Sequence, residues 1–248
     1  MNKFNRIFNL IVDIGEILIS CDADILRVIE TMDIIADSYG IKEFNSFIIT
    51  NGLFVTATFD GITLAKNKQI RSHCANLGKI ESINSLSRKI ASERISIEEA
   101  EEILKNIKTQ SIWPTYIKYL SAIIGCSTLT MLYKGTYIDG LVTVFVSFLS
   151  YHFMQILIKK SVNSVLINLL TSVFITILAV IASKFALCDN LDKVIIGSIM
   201  PLVPGILLTN GIRDITNNDF LSGIIRVIEA ILIASSIAIG VGLVFNFV

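Results

Sequence analysis

The chain has 248 residues, 53% of them hydrophobic and only 17% charged, and its mean hydropathy of +0.70 is well above that of soluble domains. Its formal net charge is zero and it has no block of basic residues, which argues against a nucleic-acid partner. Most charges lie in residues 1–111, whereas residues 112–248 form successive apolar segments. We therefore predict a membrane protein with two domains, 1–111 and 112–248.

The N-terminus begins with two segments of helical periodicity. In residues 4–18 the apolar side chains recur every three or four positions, and the pattern repeats from 25 to 35. Gly40 supplies a stop for the second helix. Acidic residues interrupt the first apolar run and no small-residue cleavage site follows it, so it does not read as a signal peptide. We expect this domain to stay in the cytoplasm.

Strand-forming segments follow the two helices. Residues 44–50 and 53–59 flank Asn51 and Gly52, a pair that accepts the positive φ angles of a type I′ turn, so a β-hairpin is predicted. Residues 61–68 could add a third strand.

Two further helices complete the N-terminal domain. One is predicted from about Ala75 to Ala91. The other begins after Ser96, which forms a capping box with Glu99 three residues later. The domain is therefore predicted to be small and α+β.

The C-terminal half contains five apolar segments separated by short loops. Each approaches the ~20 residues that a helix needs to cross the hydrocarbon layer. The predicted spans are 115–133, 137–158, 163–183, 193–211 and 221–245. The predicted fold class is an α-helical integral membrane protein with about five transmembrane helices and an N-terminal α+β cytoplasmic domain.

Basic residues beside the spans predict their orientation. Six basic residues lie on the same side of the membrane as the N-terminal domain, namely Lys105, Lys108, Lys118, Lys159, Lys160 and Arg213. The other side receives Lys134, Lys184 and Lys193. Because cytoplasmic loops carry an excess of Lys and Arg, the N-terminus is predicted inside and, with five spans, the C-terminus outside.

The fourth predicted span contains two helix breakers near its middle, Pro201 and Pro204. Each removes a backbone donor and clashes with the carbonyl group one turn earlier. In secondary transporters, broken helices direct the partly positive N-terminus of a half-helix at an anionic substrate group. Pro204 and Gly205 would open such a half-helix, and residues 209–214 would end it. A proline kink that only shapes packing is the alternative.

The fifth predicted span contains Arg226 and Glu229, three positions apart, so that they can face each other on one side of the helix. Ionisable groups inside a bilayer are costly, which favours a functional interpretation. Glu229 could carry a coupling proton or contact a substrate ammonium group, and Arg226 could hold a carboxylate. The alternative is a structural pair near the cytoplasmic end of the span, with Arg226 extending to the interface.

The sequence contains none of the common motifs for metal or cofactor binding. The cysteines, Cys21, Cys74, Cys126 and Cys188, are scattered, without a CxxC pair or a nearby histidine at ligand spacing. We expect free thiols, no metal and no cofactor. The sequence also contains no nucleophile elbow and no glycine-rich phosphate loop, so no catalytic residues are assigned and an enzyme is not expected.

The membrane half resembles a known family in residues 202–230, which read LVPGILLTNGIRDITNNDFLSGIIRVIEA. This run is similar to the signature of the bacterial threonine/serine exporter family, in which Pro-Gly, Arg-Asp and Ser-Gly-x-x-Arg with a following Glu recur at this spacing. Residues 15–32, GEILISCDADILRVIETM, resemble the family's opening Gly-Glu, small-Ala-acid and Arg-Val-acid helices. The resemblance covers nearly the whole chain in order.

The resemblance assigns candidate site residues by position. In the membrane motif these are Pro204, Gly205, Arg213, Asp214, Gly223, Arg226 and Glu229, and the same half-helix carries Asn210. In the cytoplasmic motif they are Gly15, Glu16, Ala23 and Arg27. The sequence departs from the family at Asp22, where Gly is usual, and at Ile29, where an acid is usual and Glu30 follows one place later.

The resemblance also implies a function. Members of the family export threonine and serine in a long, fused form of about ten spans, or succinate-type dicarboxylates in a split form of two proteins. A five-span chain resembles the N-terminal half, completed by a short multi-span partner, with a homo-oligomer as a further option. The hypothesis is a proton-coupled efflux transporter subunit of the bacterial inner membrane.

Two other classes of protein stay open from the sequence alone. A membrane-bound enzyme would place catalysis in the N-terminal domain, which contains Glu16, Arg27, His73 and Cys74. A membrane-anchored sensor or scaffold would use the spans as anchors only, although anchors do not usually need a broken helix and buried charges.

Overall fold

The computed structural model of the chain describes residues 3–70, 75–109, 113–160 and 162–247. Two compact units are formed. The first consists of Met1–Ile112 and Ile206–Ile228, and the second of Trp113–Gly205 and Glu229–Val248. His73, Cys74 and the predicted boundary between residues 111 and 112 lie outside the described residues. The functional division into a cytoplasmic and a transport domain stays a prediction.

The N-terminal part of the first unit is an α+β module. Its elements are α1 (Lys3–Ser20), α2 (Ile25–Ser38), β1 (Glu43–Ile49), β2 (Gly52–Phe59), β3 (Ile62–Gln69), α3 (Leu77–Glu93) and α4 (Ile97–Thr109). Gly40 follows α2 with a φ of 81°, as predicted for a helix stop. The Ser96 hydroxyl accepts a hydrogen bond from the Glu99 amide at the start of α4, which is one half of the predicted capping box, while the Glu99 carboxylate accepts from Lys89 at 2.6 Å.

The sheet is antiparallel, with strand order β1-β2-β3. The predicted hairpin forms, but Gly52 pairs with Ile49, so Thr50 and Asn51 make the loop. Neither Asn51 nor Gly52 has a positive φ, and the predicted type I′ turn at this pair is wrong. The physical reason is a tertiary contact, because the buried Thr50 hydroxyl donates to the Ser222 carbonyl group, 3.4 Å away.

The left-handed turn lies instead between β2 and β3. Asp60 and Gly61 have φ angles of 50° and 76°, and their neighbours Phe59 and Ile62 pair directly. A two-residue loop with two positive φ angles matches the right-handed twist of the strands that it joins. The predicted third strand is therefore present.

One apolar core holds the module together. Its buried members fall between Phe4 and Ile107, and they come from the four helices, from one face of the sheet and from the connections between these elements. Ile11, Ile14 and Leu18 of α1 are fully buried, as the three-and-four spacing predicts. Burial of such side chains contributes roughly 1.5–3 kcal/mol each.

The remaining helices lie at or near the predicted spans. They are α5 (Thr115–Leu132), α6 (Tyr137–Lys159), α7 (Ser164–Lys184), α8 (Leu191–Ile199), α9 (Gly205–Thr216) and α10 (Phe220–Phe247). Residues 206–228 of α9 and α10 belong to the first unit, and the rest of these helices belongs to the second.

The predicted break in the fourth span is present. After α8 ends, Met200–Leu202 form a single 3₁₀ turn, and Val203 has an extended backbone with φ −66° and ψ 125°. Pro204 causes this, since the residue before a proline is pushed out of the helical region. Helix α9 then begins at Gly205.

Among the described residues, three helices are long and apolar enough to cross a membrane. These are α6, α7 and α10, and the number rises to four if the bent pair of Leu191–Leu202 and Gly205–Thr216 counts as one span. Helix α5 occupies the first predicted span but is not one of these three helices. Lys118 and several hydroxyl-bearing residues make it less hydrophobic. The chain is thus a helical membrane protein with several candidate spans.

A buried carboxylate fixes one end of the helices in the second unit. Asp139 at the start of α6 accepts hydrogen bonds from the Thr136 amide at 2.8 Å, the Asp189 amide at 2.8 Å and both the amide and side chain of Asn190 at 3.0 and 2.8 Å. It thereby ties the α5–α6 connection to the α7–α8 connection.

Small residues let the helices of the second unit approach closely. A methyl group on Gly197 of α8 would collide with Thr130 of α5, and one on Gly240 of α10 would collide with Ser172 of α7. Small side chains at such crossings are typical of membrane helices, which associate through close packing.

Candidate functional site

The site begins at the turn between α1 and α2. Asp22 has a φ of 61°, in the left-handed region that glycine adopts without steric cost and that Asp tolerates. A glycine, which the resemblance implies here, would adopt this backbone conformation without steric cost. Asp24 caps α2 by accepting a hydrogen bond from the Arg27 amide at 2.9 Å.

Arg226 of α10 binds this turn. Its side chain is only 1% exposed. One terminal nitrogen donates to Oδ2 of Asp214 at 2.8 Å, and the other donates to the Ala23 carbonyl group at 2.8 Å. Asp214, which is fully buried, also accepts from the Ile25 amide at 3.3 Å. The result is a buried, charge-assisted ion pair anchored to the first residues of α2.

Two further residues of α9 reach the same turn. The Asn210 side chain donates to the Asp22 carbonyl group at 2.7 Å. The Arg213 guanidinium lies 3.3 Å from Oδ2 of Asp24 while 57% of its side chain stays exposed. The family motifs of the two halves of the sequence, about 190 residues apart, therefore meet at one place in the first unit.

Close contact between α9 and α10 supports this arrangement. A Cβ atom on Gly223 would lie 2.7 Å from the Gly211 carbonyl oxygen and 2.8 Å from the Ile215 backbone nitrogen. Only glycine at position 223 allows the two backbones to be this close. The crossing brings Arg226 and Asp214, one on each helix, within hydrogen-bonding distance.

The structure brings some of the cytoplasmic motif into this site and leaves the rest outside it. Ala23 provides its carbonyl group, and Arg27 is 3.8 Å from the carboxylate of Asp24. Gly15 is a packing residue, since a Cβ there would lie 2.6 Å from the Met32 sulfur. Glu16 pairs with Lys68 of β3 at 2.8 Å, away from the network. The nearby carboxylate raises the pKa of Lys68 above its ordinary value.

Three residues of the membrane motif lie elsewhere. Pro204 and Gly205 form the break and the first residue of α9. Glu229 is half-buried and belongs to the second unit. The expected face-to-face pair of Arg226 and Glu229 is not formed among the described residues, because Arg226 is paired with Asp214 on a different helix.

Sequence reasoning missed the carbonyl and carboxylate acceptors of the turn. Asp24 could have been recognised as an N-cap, because it directly precedes the apolar helix pattern. The role of Asp22 had a weaker signal, namely its position where the family usually has Gly. The Thr50 contact with Ser222 left no signal in the sequence, since it joins residues that are 172 positions apart.

Comparisons with known proteins identify the family. The model of the ThrE family, threonine/serine exporters, matches residues 9–248. A protein of Klebsiella aerogenes named "Probable succinate transporter subunit YjjP" is 22% identical over 204 residues, which cover 82% of this chain and 78% of that protein. No solved structure matches. The chain therefore belongs to the threonine/serine exporter family, a family of membrane transporters.

Proposed function

We propose that the chain is one subunit of a secondary efflux carrier in the bacterial inner membrane. It exports a small amino acid such as threonine or serine, or a dicarboxylate such as succinate. The observation that carries this proposal is the family match over residues 9–248. A relative named as a succinate transporter subunit supports both the cargo class and the need for a partner.

The proposed topology has five spans and a cytoplasmic N-terminus. Helix α5 is the first span, and the bent pair of α8 and α9 is the fourth. The excess of Lys and Arg on the side of the N-terminal module supports this orientation. A short multi-span membrane protein supplies the second half of the carrier.

Arg213 is the proposed contact for the substrate carboxylate. Both terminal nitrogens of Arg226 are engaged by Asp214 and the Ala23 carbonyl group, and with 1% of its surface exposed the residue is poorly accessible to a substrate. More than half of the Arg213 side chain is exposed, and it shares Asp24 with Arg27. A planar guanidinium suits a carboxylate because it can donate two parallel hydrogen bonds.

The N-terminus of α9 is a separate proposed contact for an anionic group. Gly205 and Arg213 are eight residues apart, which is about 12 Å along a helix. One carboxylate therefore cannot contact the backbone of Gly205 and the backbone of Arg213 at the same time. The positive end of the α9 helix dipole would serve a second anionic group or a later step of export.

Glu229 is the proposed proton carrier. It is half-buried in a candidate span, and among the described residues no ion pair or side-chain hydrogen bond engages it. Glu229→Gln should abolish the dependence of export on the proton gradient. A variant that exports normally at every pH would remove proton coupling by this residue from the proposal.

The first experiment measures efflux of preloaded labelled threonine, serine and succinate. Bacteria express this chain with its candidate short partner, or each protein alone. Export of one substrate only when both proteins are present establishes a split carrier and identifies the cargo. Absence of export in every combination, with both proteins confirmed in the membrane, would overturn the proposal and favour the sensor.

Arg213 is tested in the same assay with a matched control. Arg213→Gln should raise the substrate concentration needed for half-maximal export and should leave expression unchanged. Arg27→Gln removes the other arginine that faces Asp24, so it controls for effects that act through that carboxylate. Equal effects of the two substitutions would contradict a substrate-binding role for Arg213.

A further inference from the structure

Three hydroxyl groups of the second unit line one small cavity beside the helix break. They belong to Ser150 of α6, Thr171 of α7 and Ser198 of α8, and their residues are 3%, 1% and 2% exposed. None of the three hydroxyl oxygens has a hydrogen-bond partner within the described part of the chain. They come from three different helices, so this convergence is not a product of local helix geometry.

Other buried hydroxyl groups on the same helices are satisfied. Thr143 of α6 donates to the Asp139 carbonyl group at 2.8 Å, and Thr176 of α7 donates to the Ser172 carbonyl group at 2.8 Å. Buried polar groups in proteins are nearly always paired, because an unpaired one keeps the full cost of its lost hydration. The unpaired set around this cavity therefore calls for a ligand.

The size of the cavity limits that ligand to a single small species. Its volume is about 10 Å³, close to the smallest space that holds one water molecule. Pro201 and Leu202, at the end of the broken helix, line it together with Ser147. An amino acid or a dicarboxylate does not fit.

Apolar side chains form most of the cavity wall, but the oxygen atoms in it are suited to a cation. The Ser147 hydroxyl donates to the Val144 carbonyl group at 3.2 Å, so its oxygen presents lone pairs. Helix α8 ends at Ile199, and a helix C-terminus carries a partial negative charge and carbonyl groups without helical partners. No Lys, Arg, Asp or Glu is among the residues that line the cavity. In secondary transporters, backbone carbonyl groups at the ends of half-helices coordinate Na⁺ or H⁺, and hydroxyl oxygens offer the same kind of neutral oxygen ligand.

An open groove lies next to the cavity. This groove has a volume of about 370 Å³, and it shares Tyr151 and Pro201 with the cavity. Gly125 and Cys126 of α5 form part of its wall. A small ion can therefore approach the site past the side chains at the break.

We infer that Ser147, Ser150, Thr171 and Ser198 form a binding site for one Na⁺ ion. The bound ion ties α6, α7 and α8 together at the point where the fourth candidate span is broken. This site goes beyond the proposed export function and does not depend on it, because ion binding is measured without transport.

The test uses the purified full-length chain in detergent. Melting temperature is measured in NaCl, KCl and choline chloride at equal ionic strength, and binding of radiolabelled Na⁺ is measured directly. Na⁺ should raise the melting temperature of the parent protein above its value in KCl or choline chloride, since a ligand that binds only the folded state stabilises it.

Thr171→Val and Ser198→Ala remove one unpaired hydroxyl group each. Each should weaken Na⁺ binding about tenfold and shrink the Na⁺-dependent shift accordingly. Thr176→Val is the matched control, because its hydroxyl is on the same helix as Thr171 but bonds to its own helix, and it should keep the full shift. If Thr171→Val does not fold, Ser198→Ala provides the same comparison.

Two outcomes would overturn the inference. Equal melting temperatures in all three salts would mean that the cavity holds an ordered water molecule only. A Na⁺-dependent shift that Thr171→Val and Ser198→Ala both retain in full would place the ion elsewhere in the protein.

Discussion

Arg226 carries a buried positive charge that is compensated by one carboxylate, that of Asp214. The two side chains are 1% and 0% exposed, and they are 2.8 Å apart. Asp214→Asn would leave the guanidinium buried beside a neutral partner. Removing one member of a buried pair typically costs 3–5 kcal/mol. We expect a loss of about that size in the free energy of unfolding, measured by thermal or chemical unfolding of the purified protein.

Two variants control this prediction. Arg27→Gln disturbs the half-exposed Arg27–Asp24 contact of 3.8 Å, so it should change stability by no more than about 1 kcal/mol. Asp214→Asn combined with Arg226→Met removes both charges and should recover much of the loss. If Asp214→Asn were as stable as the parent protein, the pair would not hold α10 to the turn before α2.

Glu16 and Lys68 should contribute a pH-dependent increment of stability. Their side chains lie 2.8 Å apart and are each about a third exposed, so the increment is below about 1 kcal/mol. The carboxylate raises the pKa of Lys68 above its ordinary value of 10.5. Where Glu16 is ionised, the contribution is therefore complete below pH 10.5, and it is lost as the pH rises through the raised pKa of Lys68.

Glu16→Gln tests this contribution through unfolding at neutral and strongly alkaline pH. The variant should be slightly less stable than the parent protein at neutral pH, and the difference in the free energy of unfolding should narrow as the pH rises through the raised pKa of Lys68. Glu30→Gln, an exposed residue of α2, serves as the control and should show neither effect. A difference that stays unchanged through the alkaline range would assign the effect to a group other than Lys68.

The sequence revealed which residues of the site are unusual but not which of them are paired. Arg213, Asp214 and Arg226 attract notice because charges are rare in apolar segments. The local spacing favoured Glu229 as the partner of Arg226, whereas the partner lies twelve residues earlier on another helix. A side-chain periodicity reports only neighbours on the same helix, so contacts between helices stay hidden from it.

At the scale of elements, the crossing of α9 and α10 depends on glycine. Gly223→Ala would place a methyl group 2.7 Å from the Gly211 carbonyl oxygen and 2.8 Å from the Ile215 backbone nitrogen. Backbone atoms cannot move aside as flexible side chains do, so the helices must separate. We expect a destabilisation of about 1–3 kcal/mol, typical of overpacking, in thermal unfolding of the purified protein.

Gly242→Ala is the matched control on the same helix. No atom lies within 4 Å of a Cβ at that position, and alanine is a better helix former than glycine by up to about 1 kcal/mol. This variant should be as stable as the parent protein or slightly more stable. A Gly223→Ala protein that matched it would show that α9 and α10 can separate at little cost.

Most elements could be predicted because their signals are local. The helices and strands follow from apolar spacing, and the break follows from Pro204, whose effect on Val203 is purely steric. The predicted type I′ turn at Asn51 and Gly52 was wrong because a tertiary contact of Thr50 competes with the local preference of an Asn-Gly pair. Local patterns are reliable until a contact from elsewhere in the chain outweighs them.

At the scale of the whole molecule, composition and contacts divide the chain differently. The change from charged to apolar sequence lies near residue 111. The contacts group residues 206–228 with the N-terminal module through Asn210, Arg213, Asp214 and Arg226. The average hydropathy of a segment indicates the solvent that it prefers. The residues that make these polar contacts are too few to alter that average, so composition does not reveal the contacts.

The N-terminal module should nevertheless fold as an isolated fragment of residues 1–111. Among the described residues its apolar core consists of side chains between Phe4 and Ile107, so cutting the chain removes none of these. The groups that lose partners, such as the Ala23 carbonyl group and the Ile25 amide, would face water and be hydrated. We expect a soluble fragment with a cooperative thermal transition in far-UV circular dichroism.

The matched control for this fragment is Leu53→Asp, which buries a charge at a fully buried position of β2 and should abolish the transition. If the unmodified fragment also failed to unfold cooperatively, residues 206–228 would be needed for folding, and the predicted boundary near residue 111 would be wrong. A cooperative transition at a lower temperature than in the full chain would instead measure how much residues 206–228 stabilise the module. Such stabilisation is expected because Arg226 and Asp214 bind the α1–α2 turn only in the folded state.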